Sequence, residues 1–136
     1  MWGRHMTAEL PHDRVWARLG VSTRHGVGVF AIAPIPRGTD VFASDEGEII
    51  WVQAAEPDAL PDGSEQKRLY RDFAVRRGSV LGCPVNFNML SVGWYVNEPL
   101  AGEQANLSVA DDLAMVAVRD IAAGEELTIT YATFSK

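Results

Sequence analysis

The pattern of apolar and polar residues along the chain predicts short β-strands separated by glycine and proline. Apolar residues either alternate with polar ones or form runs too short for a buried helix, and both patterns are typical of strands. The strands predicted in this way are residues 15–21, 28–33, 40–42, 49–53, 94–96, 113–118 and 126–131. This pattern indicates a mainly β fold class, built from several small sheets.

One segment has the pattern of a helix and interrupts the strands. Ser64 can cap the N-terminus of this helix, Glu65 lies in its first turn, and Gly78 can close its C-terminus. Between them, Leu69 and Phe73 form an apolar pair four residues apart, which places both side chains on one helix face. We therefore predict one helical insert at about residues 64–78.

Two segments far apart in the chain resemble each other around a central glycine. The first is I-P-R-G-T-D-V at residues 35–41, and the second is I-A-A-G-E-E-L at residues 121–127. Each has the pattern of a strand, a glycine turn and a second strand.

The last predicted strand brings a tyrosine to its inner face. Because side chains alternate along a strand, Leu127, Ile129 and Tyr131 share one face. A buried tyrosine hydroxyl needs a hydrogen-bond partner. Tyr131 is therefore either a satisfied core group or a group that meets a bound ligand.

Residues 26–31 match G-x-G-x-x-A, a pattern found in dinucleotide-binding loops. That interpretation requires a helix directly after the loop, but the following residues are β-like and Pro34 and Pro36 would break a helix within two turns. We therefore reject a nicotinamide cofactor. The pair Gly26 and Gly28 either lets a ligand approach the main chain closely or forms a tight turn without any ligand.

The composition predicts a single domain without metal. The chain has 136 residues with 47% hydrophobic content, enough to bury a core unaided. We assign residues 14–136 to this domain and residues 1–13 to an N-terminal extension that is partly cloning-derived. Cys83, the one cysteine, excludes an intrachain disulfide and a zinc site built on several thiolates.

No membrane span or signal peptide is recognisable, so we expect a cytoplasmic protein.

The charge distribution makes the C-terminal third acidic. The net charge is −6, and residues 90–136 contain two Lys or Arg against seven Asp or Glu. Such a surface attracts basic peptides and repels nucleic acid, so direct nucleic-acid binding is disfavoured. The alternative is that these acids are solvated surface that only keeps the protein soluble.

Two long strings of the sequence resemble the SET domain family. RHGVGVFAIAPIPRGTDVF, residues 24–42, resembles its N-terminal half, and GWYVNEPLAGEQANLSV…AVRDIAAGEELTITYATF, residues 93–134, resembles its C-terminal half. The resemblance implies a β-clip fold in which the C-terminal segment threads through a loop to form a pseudoknot. It also implies an enzyme, a protein lysine N-methyltransferase that uses S-adenosylmethionine and acts on lysine in a basic peptide or protein.

The resemblance assigns roles to individual positions of the chain. It implies that Tyr131 is the catalytic residue, and that Asn106 lies where the knot has its second asparagine. Tyr95 would flank the pocket as an aromatic wall, unless it is a plain core residue. The implied cofactor-binding residues are His25, Gly26, Val27, Gly28, Asn97, Glu98 and Phe134.

Departures from the family pattern leave a second class of function open. Glu98 stands where the family often has histidine, and residues 45–47 lack the tyrosine of a Tyr-x-Gly motif. Only five residues follow Tyr131, whereas a further element usually closes the lysine channel, so closure by a second subunit in a homodimer or by the substrate is a hypothesis. The alternative function is a catalytically weak or inactive SET/PR-like module that binds a basic peptide or partner protein.

Overall fold

The computed structural model describes residues 15–43 and 48–131. Within them the strands form three small antiparallel sheets, ordered β1-β2, β3-β5-β4 and β6-β7. The strands are β1 (Ala17–Val21), β2 (Val27–Ala31), β3 (Ile49–Gln53), β4 (Val75–Arg77), β5 (Val80–Pro84), β6 (Leu107–Val109) and β7 (Met115–Ala117). The helices are α1 (Ala55–Asp58), α2 (Glu65–Asp72) and a 3-10 helix at Val92–Tyr95. The mainly β prediction is confirmed.

The hairpin of β1 and β2 presents the glycine loop at its tip. The two strands pair from Ala17 opposite Ala31 to Val21 opposite Val27. The loop is closed by a hydrogen bond from the Ser22 amide to the Gly26 carbonyl at 2.8 Å. Gly26 has a φ of 46°, a left-handed conformation that glycine adopts without steric cost, so this glycine is required by the turn itself.

The two similar glycine segments lie side by side in the structure. Ile35 and Ile121 exchange both main-chain hydrogen bonds at 2.8 Å, and each side chain is 1% exposed. The glycines that follow them, Gly38 and Gly124, have nearly equal φ values of 88° and 89°. The sequence similarity therefore marks a real structural pairing at the centre of the core.

The helical insert is shorter than the sequence predicts. Ser64 caps α2 as expected, because its hydroxyl accepts a hydrogen bond from the Lys67 amide at 3.1 Å. However, α2 ends at Asp72, and the segment predicted to complete the helix forms β4 instead. The predicted closing residue, Gly78, has a φ of 59° and turns β4 into β5. Pairing with β5 outweighs the local helix preference because it buries Val75, which is 6% exposed.

The central strand β5 was missed because its glycine and proline are typical of turns. Its Gly82 lies beneath the indole of Trp51 on the neighbouring strand β3. A Cβ atom at residue 82 would stand 2.8 Å from Cη2 of that indole. The glycine therefore serves the packing of a large aromatic side chain within a strand, a requirement that is set by another segment.

Three predicted strands are wrong in type or extent. Residues 94–96 do not form a strand, because a 3-10 helix runs through Val92–Tyr95. Residues 40–42 make one isolated bridge, between Asp40 and Val116, followed by a turn. Residues 126–131 likewise make isolated bridges only, from Glu126 to Phe30 and from Thr128 to Asn97.

The C-terminal bridges are isolated because the segment 126–129 passes between several other segments. The Leu127 amide donates to the Val29 carbonyl at 2.7 Å, and the Ile129 amide donates to the Asn97 carbonyl at 3.0 Å. From the other side, the Leu107 amide donates to the Thr128 carbonyl at 3.0 Å. The segment is therefore threaded between residue 97 and residue 107. Residues 98–106, here called the connecting loop, join these two residues.

The threaded segment completes the main hydrophobic core. Leu127 is 0% exposed and Ile129 is 2% exposed, as expected for an inner face. The alternation itself is not observed, because Glu126 and Thr128 are buried as well and Tyr131 is exposed. They pack in one cluster with the other buried residues Ala17, Val29, Ala31, Ile35, Val41, Val96, Leu107, Ala117 and Ile121. A smaller cluster of Ala54, Leu81 and Cys83 lies under α2. No helix in residues 15–43 and 48–131 is long and apolar enough to cross a membrane.

Candidate functional site

A cleft of about 570 Å³ opens beside the glycine loop and the connecting loop. Its lining residues are Arg24, His25, Val27, Arg71, Asp72, Phe73, Trp94, Tyr95, Asn97, Glu98, Pro99, Leu100 and Tyr131. The set combines residues of the glycine loop, four Phe, Trp or Tyr rings and both signs of charge. A cleft of this size and mixture is typical of a site for a small polar ligand.

Asn97 joins the glycine loop to the threaded segment. Its side-chain amide donates to the carbonyls of His25 and Val27 at 2.9 and 3.1 Å, and to Oε2 of Glu126 at 3.0 Å. Asn97 is 7% exposed, so these contacts are largely shielded from water. The side chain therefore holds the loop in the shape that forms one wall of the cleft.

The carboxylate of Glu126 is the buried centre of this polar network. Its side chain is 1% exposed, and it accepts hydrogen bonds from the Ser22 hydroxyl at 2.8 Å and from Nη1 of Arg24 at 3.1 Å. Together with the Asn97 amide, these donors satisfy a charge that would otherwise be costly to bury. No local sequence pattern indicates this group, because its partners Ser22 and Arg24 lie more than 100 residues earlier in the chain.

The structure requires a glycine at position 28 for a reason that the sequence did not indicate. A Cβ atom at this position would overlap Oε2 of Glu126 and would lie 2.9 Å from its Cδ atom. Gly28 is buried and does not line the cleft. Its missing side chain leaves room for the buried carboxylate, a role that differs from both alternatives considered in the sequence, the approach of a ligand and a tight turn.

Tyr131 stands at the end of the threaded segment and is 41% exposed. Its hydroxyl donates to the main-chain carbonyl of Val96 at 2.8 Å. The protein therefore satisfies the hydroxyl proton, but the exposed Tyr131 is not a core residue.

Glu98 lies next to Tyr131 and affects its ionisation. Its carboxylate accepts a hydrogen bond from the Tyr131 amide at 3.2 Å. Burial raises the pKa of Tyr131 above its ordinary value of 10.0, and the negative charge of Glu98 raises this pKa further. The phenol is therefore neutral near pH 7.

A second cavity, here called the groove, has a volume of about 430 Å³ and also contacts Tyr131. Its lining residues are Asp40, Phe42, Ala43, Ile49, Arg71, Asp72, Ala74, Val75, Ser91, Gly93, Trp94, Val96, Val109, Asp112, Leu113, Ala114, Met115, Ile129 and Tyr131. Cleft and groove share Arg71, Asp72, Trp94 and Tyr131. Tyr131 is thus accessible from two different cavities.

The structure brings most of the predicted site residues to one place. His25, Val27, Asn97, Glu98 and Tyr131 all line the cleft, and so does Tyr95. Gly26 and Gly28 belong to the same hairpin but are not among the lining residues. Phe134 and residues 45–47 lie outside the described residues.

Asn106, which the resemblance assigns to the knot, hydrogen-bonds to the threaded segment. It is 3% exposed, and its side chain donates to the Glu126 carbonyl at 2.9 Å and accepts from the Thr128 amide at 2.8 Å. These bonds hold the threaded segment from the side opposite Asn97. Among the described residues, no group of three or more His, Cys, Asp or Glu is arranged to hold a metal ion.

The chain belongs to the SET domain family, whose family model matches residues 26–132. In a comparison with solved structures, the chain is similar to the crystal structure of a "putative histone methyltransferase" of Plasmodium falciparum, with a TM-score of 0.51 and 19% identity. That match covers 86% of this chain and 93% of the other. At this identity the likeness shows the fold alone. No curated protein matches the chain at a significant level.

We predict that Gly28→Ala destabilises the protein, because the added methyl group displaces the Glu126 carboxylate from its three donors. The expected loss in the free energy of unfolding is about 1–3 kcal/mol, measured by chemical denaturation. Gly63→Ala is the matched control, because a Cβ atom there meets nothing within 4 Å. Equal stability of the two variants would contradict the packing argument.

We also predict that Glu98→Gln lowers the pKa of Tyr131, because it removes the negative charge beside the phenol. Spectrophotometric titration of each protein minus its Tyr131→Phe counterpart isolates this phenol. Since the pKa of Tyr131 is raised in the folded state, the stability that the protonated phenol contributes is complete below about pH 10. This contribution is lost as the pH rises through the folded-state pKa. Glu65→Gln, at an exposed position of α2, is the control, and an identical shift in that variant would count against a local effect of Glu98.

Proposed function

We propose that this protein is an S-adenosylmethionine-dependent methyltransferase that acts on lysine side chains of a protein substrate. Membership of the SET domain family supports this proposal. The single observation that carries it is the position of Tyr131, which faces the cleft and the groove at once. A residue in this place can contact two reactants that enter from different sides.

The cleft has the chemistry that the cofactor requires. S-adenosylmethionine, when bound, supplies a methyl group attached to a positively charged sulfonium. The rings of Phe73, Trp94 and Tyr95 offer apolar and aromatic surface for the adenine of the cofactor. The glycine loop offers main-chain groups for the polar ends of the cofactor. His25 and Val27 would hold the cofactor with their main chains, and Asn97 would hold those main chains in place.

Tyr131 would orient the lysine amine through its oxygen lone pairs. Because its proton is donated to the Val96 carbonyl, the oxygen is left to accept an N–H of the amine. The nitrogen lone pair is then free to attack the methyl group, and alignment of this kind supplies much of the rate. A raised pKa disfavours an ionised phenol acting as a general base near neutrality.

The groove would receive the lysine and the peptide around it. Its apolar side chains disfavour the ammonium form of the target lysine, whereas its carboxylates attract basic residues that flank the target. The groove is lined by three carboxylates and one cation, which are Asp40, Asp72, Asp112 and Arg71. Asp72 lies 3.6 Å from Arg71, whereas Asp40 and Asp112 make no ion pair within residues 15–43 and 48–131. These two unpaired charges support a basic peptide as the partner.

A second candidate is a catalytically weak module that binds a basic peptide. It is favoured by two observations on the cleft. Glu98 places a negative charge there, and the carbonyls of His25 and Val27 already accept hydrogen bonds from Asn97. Such a module would use the acidic groove without binding the cofactor tightly.

We predict that S-adenosylmethionine or its demethylated product raises the melting temperature, because a ligand that binds only the folded state stabilises it. The gain is about 2.7 kcal/mol at a ligand concentration 100 times Kd. Labelled methyl transfer to lysine peptides should then fall about 10- to 100-fold in Tyr131→Phe with the thermal shift retained, as expected for loss of one hydrogen bond to the reacting amine.

Tyr70→Phe is the control for this experiment, because Tyr70 packs against Phe87 and lines neither cavity. No stabilisation at millimolar ligand would favour the binding module. Full activity of Tyr131→Phe would remove the role given to the phenol.

We further predict that Asp112→Asn weakens the preference for a basic residue near the target lysine. Lysine peptides that carry one arginine are compared with peptides that carry the neutral isostere citrulline. The arginine-to-citrulline ratio of kcat/KM should fall about two- to fivefold, the range of one solvent-accessible ion pair. Asp111→Asn is the matched control, because Asp111 is an equally exposed neighbour that does not line the groove. An equal effect of both variants would point to net charge alone.

A further inference from the structure

We propose that Arg24 is a positioning residue that latches the connecting loop to the glycine loop and so fixes the outer wall of the cleft. The latch is a property of the protein without ligand, and its effect on the cofactor rests on the proposed function. Nothing in the sequence resemblance assigns a role to this arginine or to its partner Glu103.

Arg24 uses all three of its nitrogen atoms on two carboxylates. Nε and Nη2 donate to Oε1 and Oε2 of Glu103 at 3.0 and 2.6 Å, which is a bidentate pair. Nη1 donates to Oε1 of Glu126 at 3.1 Å. Most exposed ion pairs add little to stability, but bidentate pairs of arginine with a carboxylate within a charge network contribute measurably. The guanidinium therefore joins the connecting loop and the threaded segment to the glycine loop, which carries Arg24.

The Glu103 end of the latch determines the shape of the connecting loop. Oε1 of Glu103 also accepts a hydrogen bond from the Leu100 amide at 2.7 Å, and the Glu103 amide donates to the Leu100 carbonyl at 2.9 Å. The turn from Leu100 to Glu103 is thus closed by the same carboxylate that Arg24 holds. Since Pro99 and Leu100 line the cleft, holding Glu103 also positions this wall.

The two ends of the latch differ in exposure. The Glu126 side chain is 1% exposed, whereas the Glu103 side chain is 39% exposed. Loss of Arg24 would leave a buried carboxylate without a cation in the described part of the chain, so that variant also tests folding. Loss of the Glu103 charge weakens the contacts that hold the connecting loop and leaves the buried pair intact. Glu103→Gln is therefore the cleaner variant.

The chain offers a closely matched control pair at Glu125. Its Oε1 accepts a hydrogen bond from the amide three residues earlier, Ala122, at 3.0 Å, and its Oε2 pairs with Arg119 at 2.8 Å. The local chemistry resembles that at Glu103, but neither Glu125 nor Arg119 lines the cleft or the groove. Glu125→Gln removes an equivalent ion pair away from the cleft.

The experiment measures amide hydrogen exchange in the protein without ligand and the Kd of S-adenosylhomocysteine. In Glu103→Gln we expect the Leu100 and Glu103 amides to exchange about three- to tenfold faster, and Kd to rise about two- to fivefold. Glu125→Gln should leave both quantities within about twofold of the wild type. Arg24→Lys, which keeps the charge but loses the bidentate geometry, should give an intermediate result.

The outcomes separate the latch from the proposed function. Unchanged exchange at Leu100 in Glu103→Gln, or an equal change in Glu125→Gln, would overturn the latch. Faster exchange with unchanged Kd would overturn its role in shaping the cleft. If exchange responds as expected but even the wild type binds no cofactor, the latch stands and the proposed function fails. If the wild type binds and transfers methyl groups while exchange does not respond, the function stands and the latch fails.

Discussion

The structure depends on the passage of the segment 126–129 between the two ends of the connecting loop. Its main-chain groups bond in turn to Val29, Asn97 and Leu107, so neighbouring residues of the segment are held by different parts of the chain. The same four residues bury Leu127 and Ile129 in the core and carry Glu126 into the polar network. Core, knot and cleft therefore depend on one another, because one segment supplies an essential part of each.

The buried carboxylate of Glu126 links stability to the shape of the site. A charge with 1% exposure is tolerable only when it is paired and hydrogen-bonded, and here the donors are Ser22, Arg24 and Asn97. All three donors lie on segments that surround the cleft. The interactions that compensate the burial of this charge are consequently the interactions that set the positions of the cleft walls.

Tyr131 illustrates how the sequence and the fold contribute separately to the site. The resemblance to the SET domain family identified this position, together with His25, Val27 and Asn97, and the structure brings all four to one cleft. The polar contacts that support them were not predictable. Glu126 and Ser22 are 104 residues apart, and no local pattern shows that a hydroxyl will meet a carboxylate over that distance.

The sequence by itself determined the features that depend on near neighbours: the strand Ile49–Gln53, the Ser64 cap of α2 and the glycine turns. Only the tertiary structure decided where α2 ends, that Gly82 lies in a strand, and that Gly28 faces a carboxylate. In each of these cases the hydrogen-bond partner or the packing atom belongs to a distant segment. Short-range preferences are worth fractions of a kcal/mol per residue, so burial and pairing with such segments override them.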